Sequence, residues 1–505
     1  MSDSIVYDLS STSESVDRPF INKDWQYVND QNNGSYSSGQ VIISTETLSN
    51  SGKWVNFQEA YLKVPLVVVL SGVDGAGTVQ DMTATAGSEF IAGLKNGHWN
   101  LIHSLVTEYN NTAVIQSTAF TNVYNSFKAH TTYSLDDVKT VGPSIGYAPD
   151  SESSWVFNNA GNTCFGRGSC NNSNFDGQFN GASSYGANSA MAGNKGLIGR
   201  QLNDQPVLVG NGANLLSDAG RMATVLQNRV VKTAQYLALY ITATIRLKDI
   251  ANLFEKFPIV RGATFKFTIN VNQSSFQVSK TRGTTAGNLF GGAFVDATGP
   301  TMNVTGGSMN VVGGTNPVMV SACFGYNNAG GSGGVLMNCA PSANAYTLSA
   351  SCSIVQVTNS MHSALNVPKC PLPVRLYAPL YTMNPLRLEE YLNMGQKLIQ
   401  YTDIFSYVMY NVAPSSFNQM ISNGMSGIKK VIICPFVASG YNGSVDNTTA
   451  LSVLHSPFAS EPSTTSPFPG GALTELNVKI AGMCYKITSN MAMNLSYTLC
   501  TELTQ

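Results

Sequence analysis

The sequence predicts an all-β protein of two tandem jelly-roll β-sandwiches, each with a short helix inserted before a late strand. Three observations predict this fold class. Strand-like segments with a two-residue alternation are separated by turn-rich stretches. A strand–helix–strand unit occurs twice in the 505 residues. Helical patterns are few and short, and many short strands with few helices are typical of antiparallel sandwiches.

Charge is scarce in this chain, and the scarcity excludes several protein classes. Only 11% of the residues are charged and the formal net charge is −1, whereas about 25% is typical. A nucleic-acid coat that neutralises phosphates needs many more Lys and Arg. A coiled coil needs more Glu and Lys, and a disordered chain would lack the 43% hydrophobic content. The longest strongly apolar run, Val64–Leu70, is far shorter than a membrane helix.

Residues 1–39 are predicted to form an N-terminal arm, because they hold few aliphatic residues and end in a neutral Asn/Gly/Ser run. Met1–Pro19 is polar and acidic, so no secretory signal is predicted. The arm carries Asp3, Asp8, Glu14 and Asp17 against a single cation, Arg18, before Lys23. Such an arm repels nucleic acid.

The first strands are predicted directly after the arm. Trp54-Val55 follows a turn, and Tyr61–Leu70 is a β-rich run in which Pro65 predicts an edge position or a bulge. Asn100–Glu108 and Thr112–Gln116 are predicted to form a hairpin. Gly142–Arg200 is dense in Gly, Asn and Ser, and so long a stretch predicts a surface excursion rather than core.

The first strand–helix–strand unit is the clearest pattern in the chain. Apolar and polar residues alternate over Leu239–Leu247, and the alternation returns at Phe265–Val271. Between them Asp249 favours a helix start and Pro258 enforces a stop. The apolar residues of this predicted helix share one face: Ile250, Leu253, Phe254 and Phe257.

A second unit of the same construction lies downstream. Leu398–Val412 is β-rich, Ser415–Met425 allows a helical face, and Ile428–Val437 is strand-like. The glycine-rich Gly325–Gly334 is the best linker candidate. The predicted organisation is therefore an arm (1–39), a first jelly roll with long surface loops (40–325) and a second jelly roll (326–505). The Pro-spaced Ser456–Pro469 is predicted to be a surface strap or an intersubunit loop.

No catalytic, cofactor-binding or metal site is predicted. Of the five histidines, His98 and His103 are predicted to lie on opposite faces of a strand in structural roles. Asp136-Asp137 follows Ser134 as acids in the first turn of a helix, and Glu389-Glu390 is predicted on a solvated helical face. The nine cysteines are odd in number and widely spaced, which favours free thiols over disulfides.

An ordered set of motifs resembles the major capsid proteins of polinton-like viruses and virophages, within the double jelly-roll lineage of double-stranded DNA viruses. The motifs are Phe20–Trp25, Trp54–Leu70, Asn100–Gln116, Arg246–Asn272, Leu376–Tyr381, Tyr401–Asp403, Ser456–Pro467 and Asn477–Gly482. The resemblance implies two jelly rolls per chain and trimers of pseudo-sixfold shape that tile an icosahedral shell. It also implies neighbouring capsomers, penton and minor capsid proteins as partners.

The leading hypothesis is therefore a non-enzymatic capsid subunit of the virion, made in the infected host cell, that does not bind nucleic acid sequence-specifically. The alternative is a secreted or surface β protein that binds or cleaves carbohydrate. The expected lack of a signal sequence and the unpaired cysteines count against that alternative. The resemblance implies a further strand beyond the position of Gln505.

Overall fold

The computed structural model describes residues 19–32, 36, 39–74, 90–117, 119–147, 227–233, 235–272, 274–281, 301–305, 317–322, 345–354, 367–368, 372–393, 398–407, 477–480 and 483–486. Its strands are β1 (Phe20–Asn29), β2 (Gln40–Ser44), β3 (Trp54–Val55), β4 (Tyr61–Asp74), β5 (Phe90–Leu94), β6 (Ile102–Tyr109), β7 (Thr112–Ser117), β8 (Gln227–Lys232), β9 (Leu237–Arg246), β10 (Phe265–Val271), β11 (Ser274–Thr281), β12 (Thr301–Thr305), β13 (Val318–Ala322), β14 (Ala345–Ile354), β15 (Arg375–Met383), β16 (Asn477–Ile480) and β17 (Met483–Lys486).

Helices are short and few in the described part of the chain. They are α1 (Glu46–Ser49), α2 (Thr121–Thr132), α3 (Leu135–Thr140), α4 (Gly142–Ile145), α5 (Leu247–Ile250), α6 (Leu253–Lys256) and α7 (Pro385–Leu392), with a 3-10 turn at His98–Leu101. The predicted all-β class is confirmed.

Two antiparallel sheets face each other. Among the described residues, nine strands form the larger sheet, in the order β1-β15-β4-β14-β11-β12, with β9 on the other side of β4, β8 beside β9 and β3 beside β15. The smaller sheet has the order β2-β10-β6-β7. Pairs β5–β13 and β16–β17 stand apart from both sheets.

The connections between these sheets follow the jelly-roll path. The chain alternates between the sheets as it passes from β2 to β4 to β6, and again from β9 to β10. The early strand β2 and the late strand β10 then pair side by side, with Ile43 opposite Phe267. This return of a late strand beside an early one is the Greek-key connection of which jelly rolls are built.

The core lies between the two sheets because alternate residues of the strands point into it. In β4, Leu62, Val64, Leu66 and Val68 are buried, and Phe265, Phe267 and Ile269 of β10 meet them in one apolar cluster. Phe254 packs into this core, with its ring 6.4 Å from that of Phe57 and 5.7 Å from that of Phe267. This alternation sends the other residues of β4 to the outer face of the larger sheet.

The predicted first strand–helix–strand unit is confirmed as β9, α5–α6 and β10. The single predicted helix is in fact two one-turn helices, because Ala251 between them is extended (φ −149°, ψ 130°). The apolar positions still share one side: Ile250, Leu253, Phe254 and Phe257 are all buried. Asp249 lies in the first turn of α5, as predicted for an acid that favours a helix start, and its buried carboxylate also makes the side-chain contacts described below.

The predicted hairpin is confirmed as β6 and β7. Its turn residues Asn110 and Asn111 both have positive φ (46° and 65°), which asparagine tolerates better than most residues. The predicted edge position or bulge at Pro65 is wrong, because β4 pairs on both sides and its register with β9 continues through Pro65 without a shift. On one side, however, β15 pairs with residues 61–63 and β14 with residues 66–74, so Pro65 falls between two ladders.

The predictions for the second half are covered only in part. Residues 398–407 of the predicted strand Leu398–Val412 have no regular secondary structure. Ser415–Met425, Ile428–Val437, Gly325–Gly334 and Ser456–Pro469 lie outside the described residues. Strands β14 and β15, from the range assigned to the second jelly roll, pair with β4, and β1 from the predicted arm pairs with β15.

Candidate functional site: an aromatic and cationic sheet face

The outer face of the larger sheet carries aromatic rings and cations at one end. The strand period places them there, because the alternate residues of β1, β4 and β15, such as Val28, Leu62 and Leu376, are buried in the core. We call this surface the aromatic–cation face. It consists of Phe20, Lys23, Trp25, Tyr27, Glu59, Tyr61, Lys63, Arg375, Tyr377 and Tyr381.

Ring contacts join the three strands of this face. Tyr61 and Tyr377 are stacked, with 5.2 Å between centroids and 7° between planes. Trp25 lies 5.5 Å from Tyr61, and Tyr27 lies 5.6 Å from Tyr377. Cross-strand aromatic pairs of this kind stabilise a sheet beyond the area that they bury. Burial raises the pKa of Tyr61, and the neighbouring Tyr377 raises it further. This phenol therefore stays neutral in the physiological range.

Two cations lie over these rings. The Nζ of Lys63 is 5.2 Å from the ring centroid of Tyr377, and the guanidinium of Arg375 is 4.8 Å from that of Tyr27. Both distances are within the range of cation–π attraction. Arg375 also donates from Nε to Oδ1 of Asn29 at 3.2 Å. Among the described residues, neither Lys63 nor Arg375 forms an ion pair, so both charges face outward uncompensated.

A third cation is compensated by a carboxylate. Lys23 forms an ion pair with Glu59, and the hydroxyl of Tyr381 donates to Oε1 of Glu59 at 2.7 Å. The hydrogen bond to Glu59 raises the pKa of Lys23. Burial alone would raise the pKa of Glu59, but its bonds with Lys23 and Tyr381 outweigh burial and hold that pKa below its usual value. This end of the face is therefore a fixed, nearly neutral cluster.

The face is open to solvent along β1, the outermost strand of the larger sheet in the described part of the chain. Trp25 and Tyr27 are each 49% exposed and Ile21 is 66% exposed. Large apolar side chains that are exposed side by side mark interaction surfaces. The aromatic–cation face is therefore the best candidate for a functional surface among the described residues.

The other end of the same sheet face is already covered by the chain itself. Val67, Val69, Ala238 and Tyr240 continue the outer face, and they are buried in a small cluster with Val367. The hydroxyl of Tyr240 donates to the backbone oxygen of Pro368. One end of the outer face is thus packed, whereas the aromatic–cation face is left open.

His98 and His103 do not lie on one strand, so the prediction that they occupy opposite faces of a strand is wrong. His98 belongs to the 3-10 turn that begins after Gly97. Gly97 has a φ of 90°, which suits glycine, and a side chain there would place its Cβ 2.2 Å from the ring of Trp99. The backbone N–H of Thr244 donates to Nδ1 of His98 at 3.1 Å. Burial lowers the pKa of His98 to about 4, so the ring is neutral and its Nδ1 can accept this hydrogen bond.

Asp136-Asp137 lies at a helix N-terminus as predicted. Ser134 and Asp137 form a capping box, in which the N–H of Asp137 donates to Oγ of Ser134 at 3.2 Å and the N–H of Ser134 donates to Asp137 at 2.9 Å. Glu389 is exposed on α7, as predicted for a solvated face. Cys352 is a buried free thiol, and the other cysteine side chains lie outside the described residues.

Asp249 forms a buried network that sequence reasoning missed. Nε of Arg246 donates to Oδ2 of Asp249 at 2.8 Å, and the hydroxyl of Tyr133 donates to Oδ1. The guanidinium also lies 5.6 Å from the ring centroid of Tyr133. Burial and the Asp249 charge raise the pKa of Tyr133. The network ties α2 to the start of α5, which is a structural role.

The described residues contain no group of three or more His, Cys, Asp or Glu side chains placed to hold a metal ion. In the same part of the chain, every helix is too short or too polar to cross a membrane.

Comparisons with known proteins give structural similarity only. No family model matches the chain, and no curated protein matches it. A chain in the cryo-EM structure of the Sputnik virophage aligns at 10% identity and a TM-score of 0.33, covering 73% of this chain and 49% of its own length. A chain of the PBCV-1 virus capsid aligns at 10% identity and a TM-score of 0.13, covering 73% of this chain and 95% of its own length.

The chain is similar to structures from a virophage and a virus capsid. The chain spans about half the length of the Sputnik virophage chain that it matches. The jelly-roll assignment itself rests on the strand order of the two sheets.

The aromatic–cation face was not predicted as a site from the sequence. Its residues come from three segments of the chain, and all three overlap motifs that carried the family resemblance: Phe20–Trp25, Trp54–Leu70 and Leu376–Tyr381. The pattern that could have indicated it is the alternation of aromatic residues with polar ones in a segment assigned to the arm. Which segments meet depends on the sheet order, which the alternation does not specify.

Proposed function

We propose that this protein is a major capsid protein, a structural subunit without catalysis. In this proposal it trimerises into pseudo-hexameric capsomers that tile the icosahedral shell of a double-stranded DNA virus. The observation that carries the proposal is the open aromatic–cation face on the outer face of the larger sheet. Interfaces between subunits are enriched in Tyr, Trp and Arg, which are the residue types that this face presents.

The composition supports the same proposal. A tiled shell needs large contacts that are satisfied without many charges, and 11% charged residues suits that need. Its polar surface residues are then mainly neutral Asn, Ser, Thr and Gly. The acidic residues 1–18 also suit a shell whose genome is condensed separately rather than by a basic arm.

The proposed partners are two further copies in a homotrimer, neighbouring capsomers, and penton and minor capsid proteins. The proposed location is the virion, with synthesis in the infected host cell. No cofactor is proposed. The proposed domain organisation keeps two jelly rolls, with the described sandwich built mainly from residues 40–325.

A carbohydrate-binding β protein is the second candidate, and the exposed rings of Trp25 and Tyr27 favour it. Sugars stack on open ring faces. On this surface Arg375 lies over Tyr27, Lys63 lies over Tyr377, and Tyr61 and Tyr377 cover each other. Cations or neighbouring rings therefore cover one face each of Tyr27, Tyr61 and Tyr377, which favours contact with a protein over sugar stacking.

Native mass spectrometry of the full chain over a range of concentrations tests the proposal. The expected result is a complex of three times the 53.8 kDa chain mass, with larger assemblies at high concentration. A stable monomer at every concentration would contradict the capsid proposal. Glycan binding by such a monomer would support the second candidate.

A further inference from the structure

The open edge of β1 provides a backbone site for a further strand. β1 is ten residues long and pairs with β15 on one side, from Phe20 opposite Met383 to Asn29 opposite Arg375. Within the described residues no strand pairs with its other side. A long edge strand exposes unpaired N–H and C=O groups, which bind an extended peptide by adding a strand.

The charge beside this edge selects the kind of peptide. The cations of the aromatic–cation face are Lys23, Lys63 and Arg375, and its one carboxylate is Glu59, which pairs with Lys23. Lys63 and Arg375 remain available, and each is held over an aromatic ring. Holding a cation in place before binding lowers the entropy that its later ion pair costs. An acidic extended peptide therefore complements this surface.

Residues 1–18 of this chain have that chemistry. They carry four carboxylates, Asp3, Asp8, Glu14 and Asp17, and only one side-chain cation, Arg18. Ile5-Val6-Tyr7-Asp8-Leu9 is their most strand-prone run, with β-branched and aromatic residues around one acid. This run can supply both the backbone for an edge strand and a carboxylate for the cations.

We propose that residues 1–18 of one subunit dock on the aromatic–cation face and the β1 edge of a second subunit. The carboxylates of the docked segment then pair with Lys63 and Arg375. This proposal rests on the proposed function, because it names the contact through which two copies of an assembling subunit hold each other.

The direction in which the chain enters β1 favours a second copy over the same copy. Residue Pro19 has a fixed φ and biases Arg18 toward an extended conformation. This bias disfavours a tight reversal that would fold residues 1–18 back along the β1 edge of the same copy. Eighteen extended residues span up to about 60 Å, which is enough to reach a neighbouring subunit.

The test is zero-length carbodiimide cross-linking of assembled full-length protein, prepared from an equal mixture of normal and ¹⁵N-labelled chains. The expected product joins Lys63 to one of Asp3, Asp8, Glu14 or Asp17, and it carries mixed isotope labels. Arg375→Glu leaves Lys63 in place and is expected to lower the yield of the Lys63 cross-link about fivefold. The reason is that an exposed ion pair is lost and replaced by repulsion between like charges. Adding Asp8→Lys and Glu14→Lys to Arg375→Glu keeps Asp3 and Asp17 reactive and is expected to restore part of that yield.

Lys139→Glu is the matched control, because Lys139 is exposed on α3, away from β1. It should leave the yield unchanged. The proposal is overturned if the Lys63 product is absent from assembled protein, if it carries only one isotope label, or if residues 1–18 cross-link to Lys139 equally well. Binding of a single-stranded oligonucleotide that Arg375→Glu abolishes, with no Lys63 product, would assign the surface to nucleic acid instead. In each case the trimer mass measured separately shows whether the proposed function still stands.

Discussion

Tyr61 of β4 and Tyr377 of β15 are directly opposite each other in the antiparallel register, and their rings lie 7° from parallel at a centroid distance of 5.2 Å. They join two strands that are more than three hundred residues apart in the sequence. Trp25 and Tyr27 of β1 pack against this pair from the neighbouring strand. The stacked pair is therefore the centre of the aromatic–cation face.

The Tyr61–Tyr377 pair is expected to be energetically coupled. Tyr61→Ala, Tyr377→Ala and the double variant should give a coupling free energy of about 0.5–1.5 kcal/mol in urea unfolding, because aromatic pairs contribute that much beyond their buried area. The control cycle combines Tyr377→Ala with Tyr109→Ala, since Tyr109 lies on the other sheet. Additive effects in both cycles would show that the stacking has no energetic role.

Phe254→Asp is expected to prevent folding. The side chain of Phe254 is fully buried and touches the rings of Phe57, Phe265 and Phe267, so a carboxylate there has no partner and no water. Soluble yield and the circular dichroism spectrum provide the measurement. Phe405→Asp is the control, because Phe405 is 50% exposed and should tolerate the change. A soluble, assembling Phe254→Asp protein would show that α6 is placed wrongly.

Asp249→Asn is expected to lower the free energy of unfolding by about 3 kcal/mol, because it leaves the largely buried Arg246 without its carboxylate. Thermal and urea unfolding both measure this loss. Asp136→Asn, at an exposed first-turn position of α3, should change stability by a few tenths of a kcal/mol. If both variants lost the same amount of stability, the Tyr133–Arg246–Asp249 network would be unimportant.

His98 is expected to make stability depend on pH. Its folded pKa of about 4 lies below the ordinary value of 6.5, so the unfolded chain binds the proton more tightly. The free energy of unfolding is therefore unaffected by the protonation of His98 above pH 6.5. It falls by about 3 kcal/mol as the pH is lowered from 6.5 towards 4. Urea unfolding from pH 7.5 to 4 measures the slope. His98→Gln should lower that slope, whereas His130→Gln, the control, should retain it.

Local sequence patterns predicted much of the first sandwich. The alternation at β9 and β10, the hairpin at Asn110-Asn111 and the capping box at Ser134 all depend on residues close together in the chain. Phe254 was placed correctly in the core because the spacing of apolar residues defines a buried face even when the helix is broken at Ala251.

The features that the sequence did not predict depend on long-range contacts. Tyr61 and Tyr377 meet only because β15 lies beside β4, and nothing in either segment specifies that neighbour. The hydrogen bond between Tyr133 and Asp249 was not predicted because the two residues are more than one hundred positions apart in the chain. His98 was placed on a strand because the positive φ of Gly97, which begins the 3-10 turn, leaves no periodic pattern.

Negative-stain electron microscopy of the purified full-length protein tests the central claim most directly. A capsid subunit with two jelly rolls per chain should give class averages of one particle type with a hexagonal outline, each made of three copies. At high concentration these particles should associate edge to edge. Uniform single-copy particles without a hexagonal outline, unchanged at high concentration, would contradict the account.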